Sequence, residues 1–387
     1  MGFWRQPGSA RWRHWAFRIH LWTGLLLGAW ASLMGLSGAA LVYKDEIAAA
    51  LEPAVRRVEP GERVQGLDEA LAEVRRRNPN HEIGGVIGLH RERESAYAWI
   101  GRTNERRQFV DRFNVHFNQY TGQVLGVEPR DVGLFGWLEE LHFHLLLGQQ
   151  GSRINGSLAA GLFAMCLTGL VIWWPGRERW ADGLLIRWRS RWKRLRFDLH
   201  RAVGFYAAGA LAVMAFTGGY FGFPQDYWKA LTWLTGEKFE DFQAALAFPK
   251  STVVEGGQAT SVQEVYRRGA ALLPAGFVVD GIILPRGREA VFNVRARRRG
   301  NPVVAGYFGS YFDQYSGELL GTVGLEDQPL ALRVAQMLSP IHFGLWGGAW
   351  SKALWLALGL TPATLWLTGL WMWLDRTVKN RSAALRE

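Results

Sequence analysis

Phe17-Arg18-Ile19-His20-Leu21-Trp22-Thr23-Gly24 opens the first long apolar run of this chain, which carries Ser37-Gly38 near its end. The same order returns 180 residues later as Phe197-Asp198-Leu199-His200-Arg201-Ala202-Val203-Gly204, followed by Thr217-Gly218. Working outward, Phe117-Asn118-Gln119-Tyr120-Thr121-Gly122 recurs as Phe312-Asp313-Gln314-Tyr315-Ser316-Gly317. Leu141-His142-Phe143 recurs as Ile341-His342-Phe343, and Thr168-Gly169-Leu170 with Trp173 as Thr368-Gly369-Leu370 with Trp373. A duplicated chain tends to keep what its fold and its chemistry both need. What it keeps here includes four histidines at the ends of apolar helices.

The mean hydropathy of −0.05 is that of a soluble protein. The average conceals four uncharged runs, residues 19–43, 154–176, 202–225 and 353–374. Each exceeds the ~20 residues that a helix needs to cross a bilayer core. The expected architecture is an α+β membrane protein with four transmembrane helices in two parallel repeats. Each repeat encloses an outward-facing domain of one helix and an antiparallel sheet. The divisions are a basic N-terminus (1–18), spans at 19–43, 154–176, 199–225 and 349–374, a basic loop (177–198) and a tail (375–387). The outer segments are 44–150 and 226–348.

The net charge of +11 is concentrated beside the spans. Arg5, Arg11, Arg13 and Arg18, then Arg177, Arg179, Arg187, Arg189, Arg191, Lys193, Arg194 and Arg196, then Arg376, Lys379, Arg381 and Arg386 all fall on one side of a four-span topology. That side is cytoplasmic by the positive-inside rule, so both termini are expected there, and nucleic acid is not needed to explain the charge. Many of the 20 tryptophans, among them Trp15, Trp22, Trp173, Trp174, Trp228, Trp371 and Trp373, mark the edges of the runs as interfacial belts. The single cysteine, Cys166, excludes an intrachain disulfide and thiolate-rich metal sites. The first run reads as a retained span. It is long for a signal peptide, and cleavage would discard half of a repeated element.

Within each outer segment the expected order also repeats. A helix at 67–77 ends at Asn78-Pro79, and one at 261–273 ends at Pro274. Period-two patterns predict strands at 84–89, 96–100 and 109–117, and at 277–284, 290–294 and 303–312. Amphipathic segments at 134–147 and 330–343 precede the second and fourth spans. They read as short helices at the outer membrane surface.

His20 and His200 open spans on the cytoplasmic side, and His142 and His342 precede spans on the outer side. In parallel repeats related by an axis along the membrane normal, equivalent residues face each other. Each pair is therefore a candidate bis-histidine clamp for one b-type haem, two haems in all. The positive end of the helix dipole favours the neutral imidazole that ligation requires. Gly24 and Gly204, one turn on, leave room for a flat macrocycle. His144 is a further candidate beside His142, but its repeat counterpart is Gly344. His14, His81, His90 and His116 lack counterparts and read as surface or loop residues, while Glu139 and Glu140 read as a solvated helix face. No P-loop, Gly-x-Gly-x-x-Gly or His-Glu-x-x-His motif occurs. No flavin or nicotinamide site is recognised, so the electron donor is a separate molecule.

The duplicated helix-plus-strands segments ending in Phe-Asn-Gln-Tyr-Thr-Gly (117–122) and Phe-Asp-Gln-Tyr-Ser-Gly (312–317), with the four span-edge histidines, resemble the PepSY-associated transmembrane proteins. Among these the chain resembles the inner-membrane ferric-siderophore reductases. That resemblance implies PepSY-like periplasmic domains, a bacterial inner-membrane location and an oxidoreductase. Its acceptor is a periplasmic ferric siderophore, which releases ferrous iron on reduction. The implied partners are that chelate, a quinol or cytoplasmic reductase as donor, and membrane lipids. Two alternatives stand beside it: a cytochrome b-like electron-transfer subunit linked to quinone or a partner, and a membrane-anchored PepSY binding module without redox activity. No residue is assigned to substrate contact.

Overall fold

A computed structural model describes residues 11–104, 109–130, 132–300 and 308–384. Arg5, Arg386 and residues 303–307 of the expected last strand lie outside the described residues. The first half runs α1 (Arg11–Leu41), α2 (Lys44–Leu51), α3 (Pro53–Arg56), α4 (Leu67–Arg77), β1 (Glu82–Ile87), β2 (Ala96–Thr103), β3 (Phe109–Phe117), β4 (Val124–Pro129), α5 (Gly133–His144) and α6 (Gly148–Trp173). The second runs α7 (Trp192–Gly222), α8 (Pro224–Thr235), α9 (Phe239–Leu246), α10 (Val262–Ala271), β5 (Phe277–Ile283), β6 (Val291–Arg298), β7 (Phe308–Asp313), β8 (Leu319–Gly324), α11 (Leu330–His342) and α12 (Ala349–Ala384). The chain divides into a unit holding the long helices and a unit holding the sheet.

Four helices among the described residues are long and apolar enough to cross a membrane: Trp12–Leu41, Gly148–Trp173, Trp192–Gly222 and Ala349–Val378. Three of them extend beyond the uncharged runs into the basic flanks. Residues 12–18 and 192–198, expected outside the spans, are helical as well: the stems of Arg18, Lys193 and Arg194 can lie along a helix while their charges reach water, and the buried Arg196 and Asp198 are ion-paired with Asp375 and Arg194. Large apolar side chains such as Leu26 (75% exposed), Leu33, Leu167, Phe216, Leu360 and Leu367 point away from the helix interior. An apolar outer face of this kind belongs in lipid.

α1 packs against α6 and α12, and α7 packs against the same two helices, so α1 and α7 stand on a diagonal. Small residues permit the close crossings. A Cβ on Gly35 would fall 2.3 Å from the Gly359 carbonyl oxygen, and one on Gly222 would fall 3.0 Å from Gly156 Cα.

In the other unit the two outer segments do not form separate sheets. One eight-stranded sheet has the order β4-β3-β2-β1-β5-β6-β7-β8. The halves join at β1–β5, antiparallel, with Gly85 opposite Ile283, Val86 opposite Ile282 and Ile87 opposite Gly281. α4 and α10 cover one face, burying Leu67, Leu71, Val74, Val262 and Val265 against Val86, Ile100, Phe117, Ile282, Phe292 and Phe312. The helices are also tied to each other, since Asp68 accepts a hydrogen bond from Val262 N at 2.8 Å and another from the Ser261 hydroxyl.

The repeated Phe-Asn/Asp-Gln-Tyr-Thr/Ser-Gly motif is a turn that also staples a neighbouring loop. The Asn118 side-chain oxygen accepts from Tyr120 N (2.9 Å), and Asp313 accepts from Tyr315 N (2.8 Å). Gln119 Nε2 donates to the Arg91 and Glu94 carbonyls, and Gln314 Nε2 to those of Gly287 and Arg288. The closing Gly122 and Gly317 have φ of 76° and 68°, which side-chain-bearing residues adopt at a cost. The motif's conservation between halves is therefore explained by folding.

His116 departs from the expectation of a surface or loop residue: it is 2% exposed. Alternation along β3 puts it on the face away from α4, where a polar cluster encloses it. Its Nδ1 is 2.9 Å from Ser95 Oγ and its Nε2 is 3.2 Å from Glu128, which also accepts from Asn114 (3.1 Å) and pairs with Arg56. Burial pushes the Glu128 carboxyl up, but the His116 hydrogen bond, the Arg56 charge and the Asn114 hydrogen bond outweigh it and hold the group at about 2. A folded-state value below the ordinary 4.5 contributes stability above that pH, which is lost as pH falls toward 2. Arg56→Met should destabilise the sheet unit by about 3 kcal/mol in denaturant unfolding, because it strands a buried carboxylate. Glu128→Gln should flatten the loss of stability between those two pH values. A cost within experimental error for Arg56→Met would remove the cluster's structural role.

Candidate functional site

The four repeated histidines come together as two pairs, both within the helical unit. His20 on α1 and His200 on α7 have ring centres 6.4 Å apart, and His142 on α5 and His342 on α11 are 6.2 Å apart. Seventeen residues separate His20 from Ser37, and the same number separates His200 from Thr217. Those intervals are each about 25 Å of helix, so the pairs occupy opposite ends of α1 and α7.

Each ring is seated in the same way on a different helix. His20 Nδ1 meets Thr168 Oγ1 at 3.3 Å on α6, and His200 Nδ1 meets Thr368 Oγ1 at 3.0 Å on α12. His142 Nδ1 meets Ser37 Oγ at 3.0 Å on α1, and His342 Nδ1 meets Thr217 Oγ1 at 3.0 Å on α7. A glycine follows each hydroxyl residue and the ring lies on it. An added Cβ would stand 3.1 Å from His20 at Gly169, 3.2 Å from His200 at Gly369, 2.9 Å from His142 at Gly38 and 3.1 Å from His342 at Gly218.

This seating fixes the tautomer. Each hydroxyl has one proton, already given to a carbonyl of its own helix: Thr168 to Met165 (3.0 Å), Thr368 to Thr364 (2.7 Å), Ser37 to Leu33 (2.8 Å) and Thr217 to Val213 (2.8 Å). The hydroxyl oxygen must then accept from the imidazole, so Nδ1 carries the proton and Nε2 keeps its lone pair. His200 settles the point separately, because its Nδ1 is also 3.0 Å from the Leu365 carbonyl, which can only accept. An outer-shell bond of this kind is how proteins orient a ligating histidine.

The His142–His342 pair is held by its backbone as well. Asn155 Nδ2 donates to the His142 carbonyl (2.7 Å), and Trp355 Nε1 donates to the His342 carbonyl (2.9 Å). Positions 155 and 355 share the offset of 142 and 342, so different side chains do one job. Phe221 packs edge-on against His342 (5.4 Å) and stacks on Phe343 (5.7 Å), with Phe143 beside it (5.6 Å). Outside the spans, burial pushes His142 down to about 4; burial and then the neighbouring His142 take His342 to about 3. Both rings are neutral near pH 7.

The donor set fits haem. Two imidazoles bonded at about 2 Å to opposite sides of one metal have ring centres roughly 6 Å apart. All four rings keep some accessible surface. No cluster of three or more His, Cys, Asp or Glu able to hold a bare ion occurs among the described residues. Two neutral imidazoles suit a metal that brings its remaining ligands with it, as haem iron does.

The other histidines do not join these pairs. His144 turns onto Glu140 of its own helix (2.7 Å), and the ring paired with His342 is His142. Gly24 and Gly204 make only ordinary contacts, a Cβ there lying 3.7 Å from Met165 Sδ and 3.6 Å from Leu365 Cδ2. His90 pairs with Asp280 (2.9 Å) and His81 with Asp111 (3.3 Å) in the sheet unit. Sequence reasoning overlooked the seats as one class. Met34-x-x-Ser37-Gly38, Met165-x-x-Thr168-Gly169, Met214-x-x-Thr217-Gly218 and Leu365-x-x-Thr368-Gly369 are four copies of one motif, one for each histidine.

Comparison with known proteins gives two matches of different reach. An uncharacterized protein of Pseudomonas aeruginosa, PA4219, is 28% identical over 274 residues, 64% of this chain and 65% of its own length. This chain thus spans just under two thirds of that relative. A family model described as the PepSY-associated TM region matches residues 17–376, from the start of the first repeated histidine segment to beyond the last seat. The chain belongs to the family of membrane proteins defined by the PepSY-associated TM region.

Proposed function

We propose that this chain is a di-haem reductase of the bacterial inner membrane that passes electrons across the membrane to a periplasmic ferric siderophore. The observation that carries the reading is the paired seating of His20 with His200 and His142 with His342. Each ring has its Nδ1 proton committed and its Nε2 free to ligate. Haem b, when bound, supplies reversible one-electron chemistry at each pair.

The chain's own residues hold and orient the ligands. Thr168, Thr368, Ser37 and Thr217 fix the ring planes, and the glycines after them admit the rings. Phe143, Phe221 and Phe343 give the outer pair an aromatic lining, with Phe221 edge-on to His342. The basic ends of α1, α7 and α12 favour the His20–His200 end as cytoplasmic, with the sheet unit facing the periplasm. The two halves are parallel repeats on this reading. The donor is a quinol or a cytoplasmic reductase, and the acceptor is taken from the resemblance to ferric-siderophore reductases. Reduction of the chelated iron weakens its binding to hard oxygen donors and frees ferrous iron.

Purified protein should show two b haems per chain by pyridine haemochrome assay, with low-spin bands on dithionite reduction. A preparation grown with ample haem that lacks a Soret band would overturn the assignment. His20→Ala or His200→Ala should halve the haem content, and combining either with His342→Ala should abolish it; full occupancy in the single variants would remove these residues as ligands. Gly169→Val crowds His20 without replacing a ligand, so it should lower occupancy at that pair alone. Reoxidation of the reduced protein by a ferric chelate, in a stopped-flow trace, tests the acceptor; indifference to every chelate tried would favour the quinone-linked alternative.

A further inference from the structure

One buried charge at the His20–His200 end of the helical unit remains unexplained by ligation. Arg196 lies in the first turns of α7 and is 4% exposed. Its Nη2 pairs with Asp375 on α12, yet its Nε is buried with no hydrogen-bond partner among the described residues. A guanidinium offers five N–H donors and is costly to bury without acceptors. Arg13 donates to the Ile172 and Trp174 carbonyls, and Arg187 and Arg194 flank the fully buried Asp198. Arg201 donates to the Asp182 carbonyl and shares the unpartnered Nε, but it is only half-buried, whereas Arg196 is buried along its whole length.

Arg196 precedes His200 by four residues, so the two share a face of α7. That face looks toward α12, since His200 bonds Thr368 and Arg196 bonds Asp375 on that helix. The repeat counterpart of Arg196 is Ala16, whereas His200 has its counterpart in His20. The charge therefore belongs to one side of the His20–His200 site only.

We infer that Arg196 is the anchor for a carboxylate carried by the haem that His20 and His200 hold. The inference rests on the proposed bis-histidine reading. Haem brings two carboxylates, and a carboxylate near hydrocarbon needs a cation. Asp375, which also has Lys193 within 3.8 Å, balances the arginine before the ligand arrives. A guanidinium can serve two carboxylates at once because its donors point along different edges.

The test uses full-length protein made in haem-deficient cells, with His342→Ala confining binding to the inner pair. Haem and its dimethyl ester, which lacks the carboxylates, are titrated separately and followed in the Soret region. The parent should bind haem roughly tenfold or more tighter than the ester, as expected for a charge-assisted bond. Arg196→Gln should erase that preference while leaving ester affinity nearly unchanged, and Arg196→Lys should restore part of it. Equal affinities for the two compounds in the parent, or a preference surviving in Arg196→Gln, would overturn the anchor and leave the bis-histidine site intact. Failure of both compounds to bind the parent would overturn the bis-histidine reading and the anchor with it.

Discussion

A hydrogen bond from each imidazole Nδ1 to a serine or threonine hydroxyl governs the rest of the helical unit. It works only if the hydroxyl's proton is engaged elsewhere, and the helix supplies that through the carbonyl one turn earlier. It also needs a glycine beneath the ring, since any Cβ would come within about 3 Å of Cε1. Hydroxyl, carbonyl and glycine thus form one seat on a helix surface. A seat fixes which helix must pass beside which histidine, so four seats go far toward specifying the packing. α6 and α12 present seats to the histidines of α1 and α7. α1 and α7 in turn present seats, at their other ends, to the histidines of α5 and α11.

This exchange accounts for features that would otherwise look independent. The equal spacing from His20 to Ser37 and from His200 to Thr217 is required if each of these helices serves one pair as ligand and the other as seat. The close glycine crossings of α1 with α12 and of α6 with α7 hold adjacent helices near enough for the hydroxyls to reach the rings. The short helices α5 and α11 need more than a seat because they do not cross the unit themselves. Asn155 and Trp355 supply this by gripping the histidine carbonyls.

Much of this was legible in the sequence because duplication exposes it. His20, His200, His142 and His342 stood out by their offsets, and the spans by length and lack of charge. The seats were visible only as repeated Ser/Thr-Gly pairs without a role. Their partners lie 105 to 168 residues away, and no local pattern reports a contact at that range. The single sheet was hidden for a similar reason. β1 and β5 carry the same alternation whether they pair with each other or end two separate sheets, and the pairing joins Val86 to Ile282 across the intervening spans. β4 and β8 escaped notice because they are edge strands with much of their surface exposed, which dulls the alternation. His116 was misjudged because lack of a repeat counterpart says nothing about burial.

Symmetry and its breaks carry different information here. Features present in both halves, such as the turn motif and the seats, are those without which neither half folds or positions its ring. The differences then mark where the halves have diverged in task. Ser95, Asn114, His116 and Glu128 form a buried polar cluster on the first half of the sheet, while the position matching His116 in the second half is Tyr311. Arg196 faces α12 where the first half has Ala16. Each difference adds a charge to the interior of one half only, and a buried charge is retained against a steady cost in desolvation. The cluster offsets that cost internally, with Arg56, His116 and Asn114 all directed at Glu128. Arg196 offsets it in part through Asp375 and, like Arg56, keeps a buried Nε without a partner among the described residues. What sets it apart is its place one turn from His200, where the proposed ligand's carboxylate would complete the balance.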